Sequence, residues 1–335
     1  MNILNRILYT LLISVFLYSC NSSNNNVEKI QFSGNAQGTY YAVTYYDSLS
    51  RNFKPQIDSL LNDFDQTASL WVDSSLLRRI NSNQTSNLNS LMIDLVDKSM
   101  YISQFTNGYF DITIGKLVNA WGFGFSNPMA LDSCIVDSLR QYVGYNKLQI
   151  KDSVLLKENP NIEMDFNAIA QGYSSDLIAD FLLSKGINNL LVDIGGEVVA
   201  RGSKPNGNMW VVGIEKPANN KYSSQQVDVK INLDNMAVVT SGNYRKYYEN
   251  DGVKYSHTIN PFTGFPVSHT LLSVSVLAPK AWEADAMATA FMVMGLEKSL
   301  KFLEHNPSYE AYFIYDQNGE YKTYSTEGFE TVIIK

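Results

Sequence analysis

Between residues 162 and 214 the hydrophobic period changes several times, and this switching limits the folds open to the chain. Ile162-Glu163-Met164-Asp165-Phe166 has the pattern of a short strand. Residues 168–185 then carry Ile169, Tyr173, Leu177, Phe181 and Leu182 on one helical face, and Gly186 ends the run. Leu190-Leu191-Val192-Asp193-Ile194 is a buried strand leading into Gly195-Gly196, with further strands expected at 198–200 and 210–214. Strands in hairpins interspersed with helices favour an α+β fold over a doubly wound parallel sheet.

The other segments fit the same class. Residues 31–46 alternate apolar and polar side chains and are expected as strands. Ile57, Leu60, Leu61 and Phe64 recur at helical spacing in 55–64. Leu91, Leu95, Met100 and Ile102 do so in 91–105, where Asn107-Gly108 forms a C-terminal cap. The Asn-rich stretch 81–89 reads as a surface loop, and Asn250-Asp251-Gly252 centres a hairpin over 244–255. A strand at 273–277, a helix at 281–294 interrupted by Gly295, and a helix to about residue 305 complete the pattern. With no fixed-period repeat and no internal linker, the expectation is one two-lobed domain of mixed and antiparallel sheets with packed helices.

A chain of 335 residues with 45% hydrophobic content can bury a substantial core. Its net charge of −7 and pI near 5.1 argue against a nucleic-acid partner, which would need a basic surface. At the N-terminus, Arg6 precedes an apolar run over 7–18 that is short for a membrane span. It ends Leu17-Tyr18-Ser19-Cys20, which resembles a bacterial lipoprotein signal whose Cys is lipidated after cleavage; an ordinary secretory signal with an incidental Cys20 is the alternative. The expected organisation is a signal peptide over 1–19, a polar tether over 20–30 and a catalytic domain over 31–335. If Cys20 carries lipid, Cys134 has no intramolecular partner and reads as a structural or surface cysteine. No later stretch reaches transmembrane length.

Three places invite chemistry. Asp285 and Thr289 lie four apart on an expected helix, so a carboxylate and a hydroxyl share one face, a hard oxygen pair suited to Mg²⁺. The same residues also suit a plain helix, since an Asp near a helix start is favoured by the dipole. Asp165-Phe166-Asn167-Ala168-Ile169-Ala170-Gln171-Gly172 joins a strand to a helix N-terminus, whose unpaired N–H groups suit a phosphate. There, too, Asp165 or Asn167 serves equally as an N-cap, worth about 1 kcal/mol. His257 stands just before the Asn260-Pro261 turn, placed to take a proton from a hydroxyl or to bind a phosphate, although a lone His is more often structural. G-x-G-x-x-G, P-loop and G-x-S-x-G patterns are all missing, which argues against a dinucleotide fingerprint and a serine-hydrolase elbow.

Taken in order, Gly108-Tyr109-Phe110-Asp111, residues 165–172, Asp193-Ile194-Gly195-Gly196, Thr240-Ser241-Gly242, residues 257–264 and residues 284–289 resemble the FAD:protein FMN transferase (ApbE-type) family. That resemblance runs from Gly38-Thr39 to about Gly295. It implies Mg²⁺-dependent transfer of FMN from FAD to a Thr or Ser hydroxyl of a partner protein, with AMP released. By the same resemblance Asp285, Thr289 and the backbone carbonyl of Ala168 would bind Mg²⁺. Asp165, Gln171, Ile259 and the Tyr109-Phe110-Asp111 turn would contact FAD, with Gln37 and Trp71 beside the isoalloxazine or adenine. His257 matches the histidine assigned to the acceptor hydroxyl. Many members carry Gly-Gly or Gly-Ser followed by Lys where this chain has Asn167-Ala168 and Gln171, and an Asp where it has Asn260. The first difference removes a cation near the flavin or phosphate; the second leaves the turn intact.

Acceptors of this family carry an Asp-x-x-Ser/Thr-Gly-Ala-Thr segment, typically in a membrane redox complex. This chain lacks one: Val239-Thr240-Ser241-Gly242-Asn243 fails at its end, so self-modification is not expected. The implied setting is the bacterial cell envelope, with the protein lipid-anchored and facing the periplasm. Two other activities fit the same residues: Mg²⁺-dependent hydrolysis of FAD to FMN and AMP, and FAD binding without catalysis.

Overall fold

A computed structural model describes residues 27–124, 131–217, 226–243, 247–250 and 253–335. In chain order, β1 (Glu28–Ala36) and β2 (Thr39–Asp47) precede helices α1 (Lys54–Ala68), α2 (Leu76–Asn81), α3 (Ser90–Phe105), α4 (Gly115–Ala120) and α5 (Ser133–Arg140). A small antiparallel pair, β3 (Leu148–Lys151) and β4 (Val154–Lys157), leads to α6 (Ala170–Ser184). Next come β5 (Leu190–Ile194), β6 (Glu197–Arg201), β7 (Trp210–Glu215), β8 (Val227–Leu233), β9 (Ala237–Gly242), β10 (Tyr247–Asn250) and β11 (Val253–Ser256). The chain closes with β12 (Leu271–Ala278), α7 (Ala281–Met294), α8 (Leu296–His305), β13 (Glu310–Gln317), β14 (Glu320–Ser325) and α9 (Glu327–Val332).

The main sheet has eight strands in the order β1-β2-β5-β6-β9-β12-β13-β14. Every neighbouring pair in it is antiparallel. The expected α+β class therefore holds, while among the described residues the mixed element shrinks to one parallel bridge, Ile114 to Glu163. Two-residue turns build the first hairpins: Gln37 and Gly38 both take positive φ, as do Gly195 and Gly196.

The central strands are buried on both faces, and their period-two alternation sorts side chains between two cores. Val199, Val239, Val276 and Phe313 face α6 and α7, where Ile178, Leu182, Met287 and Phe291 meet them. Val198, Val238, Leu277 and Tyr312 face the opposite way, against Trp210, Ile214, Ile231 and Phe329 of β7, β8 and α9. A small third core joins Leu117 and Val118 of α4, Trp121, Val136 of α5 and Ile259.

Several local expectations change. The strand expected at 162–166 reduces to the single bridge at Glu163; Asn81 instead holds both backbone groups of Met164 through its amide. The following helix starts at Ala170 rather than 168, because the segment before it is a turn closed by Ile169 and Ala170 N–H donors on the Phe166 carbonyl. β1 begins at Glu28, inside the stretch read as tether. Cys134 is exposed near the start of α5, a helix the periodicity did not reveal. The signal and Cys20, and within the 244–255 hairpin residues 244–246 and 251–252, lie outside the described residues. Among the described residues no helix is long and apolar enough to cross a membrane.

Candidate active site

Loops from distant parts of the chain converge on one cleft of about 1340 Å³. Small-molecule pockets run roughly 300–1,000 Å³, so this one suits a ligand larger than a mononucleotide or two reactants together. Its wall includes the β1–β2 turn at Gln37, Trp71, the Tyr109-Phe110-Asp111 turn, Asp165, Ala168 and Gln171. His257, Ile259, Asp285 and Thr289 line it as well. Every residue proposed from sequence thus borders the same cavity.

At the cleft, α6 and α7 lie in unusually close contact. A Cβ on Gly172 would stand 2.3 Å from the Ala281 carbonyl oxygen and 2.8 Å from Asp285 Cβ. The missing side chain lets the Gly172 N–H donate to Asp285 Oδ2 at 3.0 Å, so Asp285 caps α6 from the neighbouring helix. The contact is reciprocal, since Asp176 of α6 accepts from the Trp282 N–H in the first turn of α7 at 3.0 Å. Burial pushes the Asp285 carboxyl up to about 7, with the Gly172 hydrogen bond pulling the other way. No basic side chain pairs with it among the described residues. One turn further along α7, the Thr289 hydroxyl lies 3.5 Å from Ser241 Oγ at the end of β9.

Asp165 precedes the α6 N-terminus and accepts from the Asn167 backbone N–H at 2.7 Å and its side-chain amide at 3.2 Å. Burial raises its pKa, opposed by those two bonds. Asp111 is occupied differently. Its Oδ1 accepts from Thr113 N–H and hydroxyl at 2.8 and 2.6 Å, and its Oδ2 from Tyr145 N–H at 2.8 Å. Both oxygens are held by the protein, so Asp111 orders the turn that carries Tyr109 and Phe110. Phe110 is itself 2% exposed and anchors that turn in the main core.

The Asn260-Pro261 turn is pinned from inside and outside. Asn260 Oδ1 accepts from Phe262 N–H at 2.9 Å, Trp121 Nε1 donates to the Gly264 carbonyl at 2.8 Å, and Arg140 Nη1 donates to the Phe262 carbonyl at 2.8 Å. Phe262 meets Tyr109 edge to face at 5.0 Å, which ties the two cleft turns together. His257 leads into this turn with its ring 6.3 Å from that of Phe123. Ile259 is buried in the small third core, so its backbone rather than its side chain is what it offers a ligand.

Gln37 donates to Ser174 Oγ at 2.5 Å, while its buried Oε1 has no hydrogen-bond partner among the described residues. Trp71 is 64% exposed at the cleft edge. Sequence reasoning missed Tyr40, whose hydroxyl donates to Asp193 Oδ2 at 3.0 Å beside the Gly195-Gly196 turn. It also missed the wall formed by β7, because neither periodicity nor spacing places that strand against residues so far away in the chain.

The chain matches the ApbE family over residues 37–313. It is 33% identical over 320 residues to the FAD:protein FMN transferase of Vibrio cholerae, covering 92% of this chain and 94% of that protein. Its identity to the Escherichia coli K12 protein of the same name is 34% over 313 residues, 90% of this chain and 88% of the other. The Pseudomonas stutzeri flavinyl transferase ApbE in its apo form superposes with a TM-score of 0.82 at 32% identity, covering 91% and 97% of the two chains. This chain belongs to the ApbE family.

Proposed function

We propose that this protein transfers FMN from FAD to a Thr or Ser hydroxyl of an acceptor protein, releasing AMP. The observation that carries the site assignment is Asp285: a deeply buried carboxylate without a basic partner among the described residues, with Thr289 one turn along, both bordering the cleft. A buried anion of that kind calls for a cation. The donor set is hard and oxygen-only, which fits Mg²⁺ held by Asp285, Thr289 and the Ala168 carbonyl. When bound, Mg²⁺ supplies Lewis-acid stabilisation of charge on the diphosphate.

The chain's own groups do the rest. His257 takes the proton of the acceptor hydroxyl. The hydroxyl oxygen bonds to the phosphorus on the FMN side, the bond from that phosphorus to the bridging oxygen breaks, and AMP leaves with that oxygen. The α6 N-terminus offers N–H donors to phosphate oxygens, and Asp165 and Gln171 hold FAD there. Tyr109, Phe110, the Ile259 backbone, Gln37 and Trp71 border the flavin or adenine, with the Gln37 Oε1 ready to accept a hydrogen bond.

The N-terminal pattern supports a lipid anchor at Cys20 and a periplasm-facing domain. In that setting the acceptor is a subunit of a membrane redox complex bearing the Asp-x-x-Ser/Thr-Gly-Ala-Thr segment. The test is incubation with FAD, Mg²⁺ and a soluble acceptor domain containing that segment. Covalent flavin fluorescence on the acceptor with matching AMP release is expected. Free FMN and AMP with an unlabelled acceptor would sink the transferase reading in favour of hydrolysis.

A further inference from the structure

One wall of the cleft is a strand edge that no other described strand pairs with. β7 pairs on one side with β8, in the register Val211 to Asn232 and Gly213 to Lys230. The far edge of β8 is covered by the chain's own C-terminal segment: Ile231 bridges Ile333, and the Ile334 N–H donates to the Lys230 carbonyl at 2.8 Å. That bond fixes the phase of the β7–β8 ladder. Lys230 turns its backbone polar groups away from β7, so its mate Gly213 turns its own away from β8. By the alternation of an antiparallel pair, Val211 does the same. The backbone N–H and C=O of both residues therefore point from the outer edge of β7, where no described strand pairs with them.

Folded proteins normally blunt such an edge with charge, proline or a covering segment. Here Val211, Val212, Gly213 and Ile214 carry neither charge nor proline; charge comes only with Glu215, the last residue of the strand, and with Lys216-Pro217 beyond it. Among the described residues the third device protects β8 but not β7. Val211 is 43% exposed, and the 211–215 strand borders the cleft that holds Asp285, Thr289 and His257. Glu215, at its end, lines the same cleft as Tyr40 and the Gly195-Gly196 turn.

We infer that the outer edge of β7 is the docking site of the acceptor polypeptide, which adds to it as an extended strand and so delivers its Thr or Ser to the cleft. The inference rests on the transferase reading, because that reaction requires a second polypeptide to enter this same cavity. An open edge running along the reaction cleft gives the acceptor main-chain hydrogen bonds at every second residue, independent of its side chains. Gly213 carries no side chain because Val227 of β8 packs over it, with its methyls 3.1 and 3.2 Å from where a Cβ would stand, so an acceptor strand meets its outward backbone groups rather than a pocket there. Binding through the backbone accounts for recognition of a segment by its extended shape, with the cleft floor selecting the hydroxyl.

The experiment measures FMN transfer to a soluble acceptor domain carrying Asp-x-x-Thr-Gly-Ala-Thr, alongside FAD affinity by flavin fluorescence, for wild type, Val211→Pro and Val211→Lys. Proline removes an N–H that no described residue accepts, and edge strands tolerate it there. Lysine places a charge on the edge while keeping the backbone intact, so it decides the matter if the proline variant does not fold. Each folded variant is expected to raise the acceptor KM about tenfold, proline through one lost hydrogen bond and lysine through the charge it sets on the edge, with FAD affinity changed less than about twofold. An acceptor KM within about twofold of wild type overturns the inference, as does a loss of FAD affinity equal to the loss in KM. Conversion of a wild-type dimer to monomer by these variants, with the acceptor KM unmoved, assigns the edge to a second copy and overturns it too. A wild-type protein that labels no acceptor removes the transferase reading and this inference together.

Discussion

A carboxylate buried like Asp285 is costly to keep charged unless a cation or several donors accompany it. Among the described residues one donor, Gly172 N–H, reaches it, and the carboxyl is raised to about 7, an arrangement better completed by a metal than by water. Replacing Asp285 with Ala should lower FMN transfer roughly 10²–10³-fold, the scale for removing one electrostatic element of a reaction site. Mg²⁺ binding measured by calorimetry should disappear in the same variant; retained turnover would refute the metal assignment. His257→Ala should keep FAD affinity and lose roughly 10²–10⁴-fold in transfer, which single-turnover kinetics with saturating FAD would resolve. The Asp285 and Thr289 pair was legible in sequence because helical spacing is local. The Gly172 bond was not, since it joins residues 113 apart. A residue of another kind is Asp47, where a bidentate Arg51 guanidinium, with backbone N–H groups of Arg51 and Leu49, lowers the carboxyl from 3.8 to about 2. A depressed folded-state pKa stabilises fully above the unfolded value and is lost as pH falls through the folded one. The Tm difference between wild type and Asp47→Asn should therefore be steady above pH 4 and shrink towards pH 2; a constant gap across that window would contradict the ion pair.

At the scale of elements, the two helices that build the floor hold one another in register. Asp285 caps α6 and Asp176 caps α7, and the pair can approach this closely only because residue 172 has no side chain. Gly172→Ala sets a Cβ against backbone rather than a movable side chain, so the helices must part. That change should destabilise the fold by about 1–3 kcal/mol and weaken Mg²⁺ affinity together with it. Denaturant unfolding and metal titration on one preparation check both, and an unaltered metal affinity would show that the register does not set the site. Long periodic helices such as α3 and α7 were legible to within a residue or two, as were β5 and β12, because each carries its own pattern. The stretch at 162–166 misled because its alternation serves a loop: Ile162, Met164 and Phe166 are buried, but the Asn81 amide binds both Met164 backbone groups that a strand partner would have taken. Helices α2, α4 and α5, six to eight residues each, are too short for periodicity to register.

Across the whole molecule, the sheet runs from the first strand to the last and the cleft gathers residues from Gln37 to Val293. β1 and β2 stand at one edge of that sheet, β13 and β14 at the other, and the cores on its two faces share the central strands β6, β9 and β12. Neither face can come apart without exposing the apolar backs of the same strands, so the described domain should unfold as one unit. A ligand that bridges the β1–β2 turn, α6 and α7 then stabilises everything at once. With FAD and Mg²⁺ at about a hundred times their apparent dissociation constant, the stabilisation is about 2.7 kcal/mol. For a domain of this size that moves Tm by roughly 4–8 °C. Differential scanning calorimetry should show a single transition that shifts as a whole with FAD and Mg²⁺, and a smaller shift in Asp285→Ala. Two transitions, only one of them moved by FAD, would mean that the cleft belongs to one part of the chain, and the continuous sheet would have to be divided.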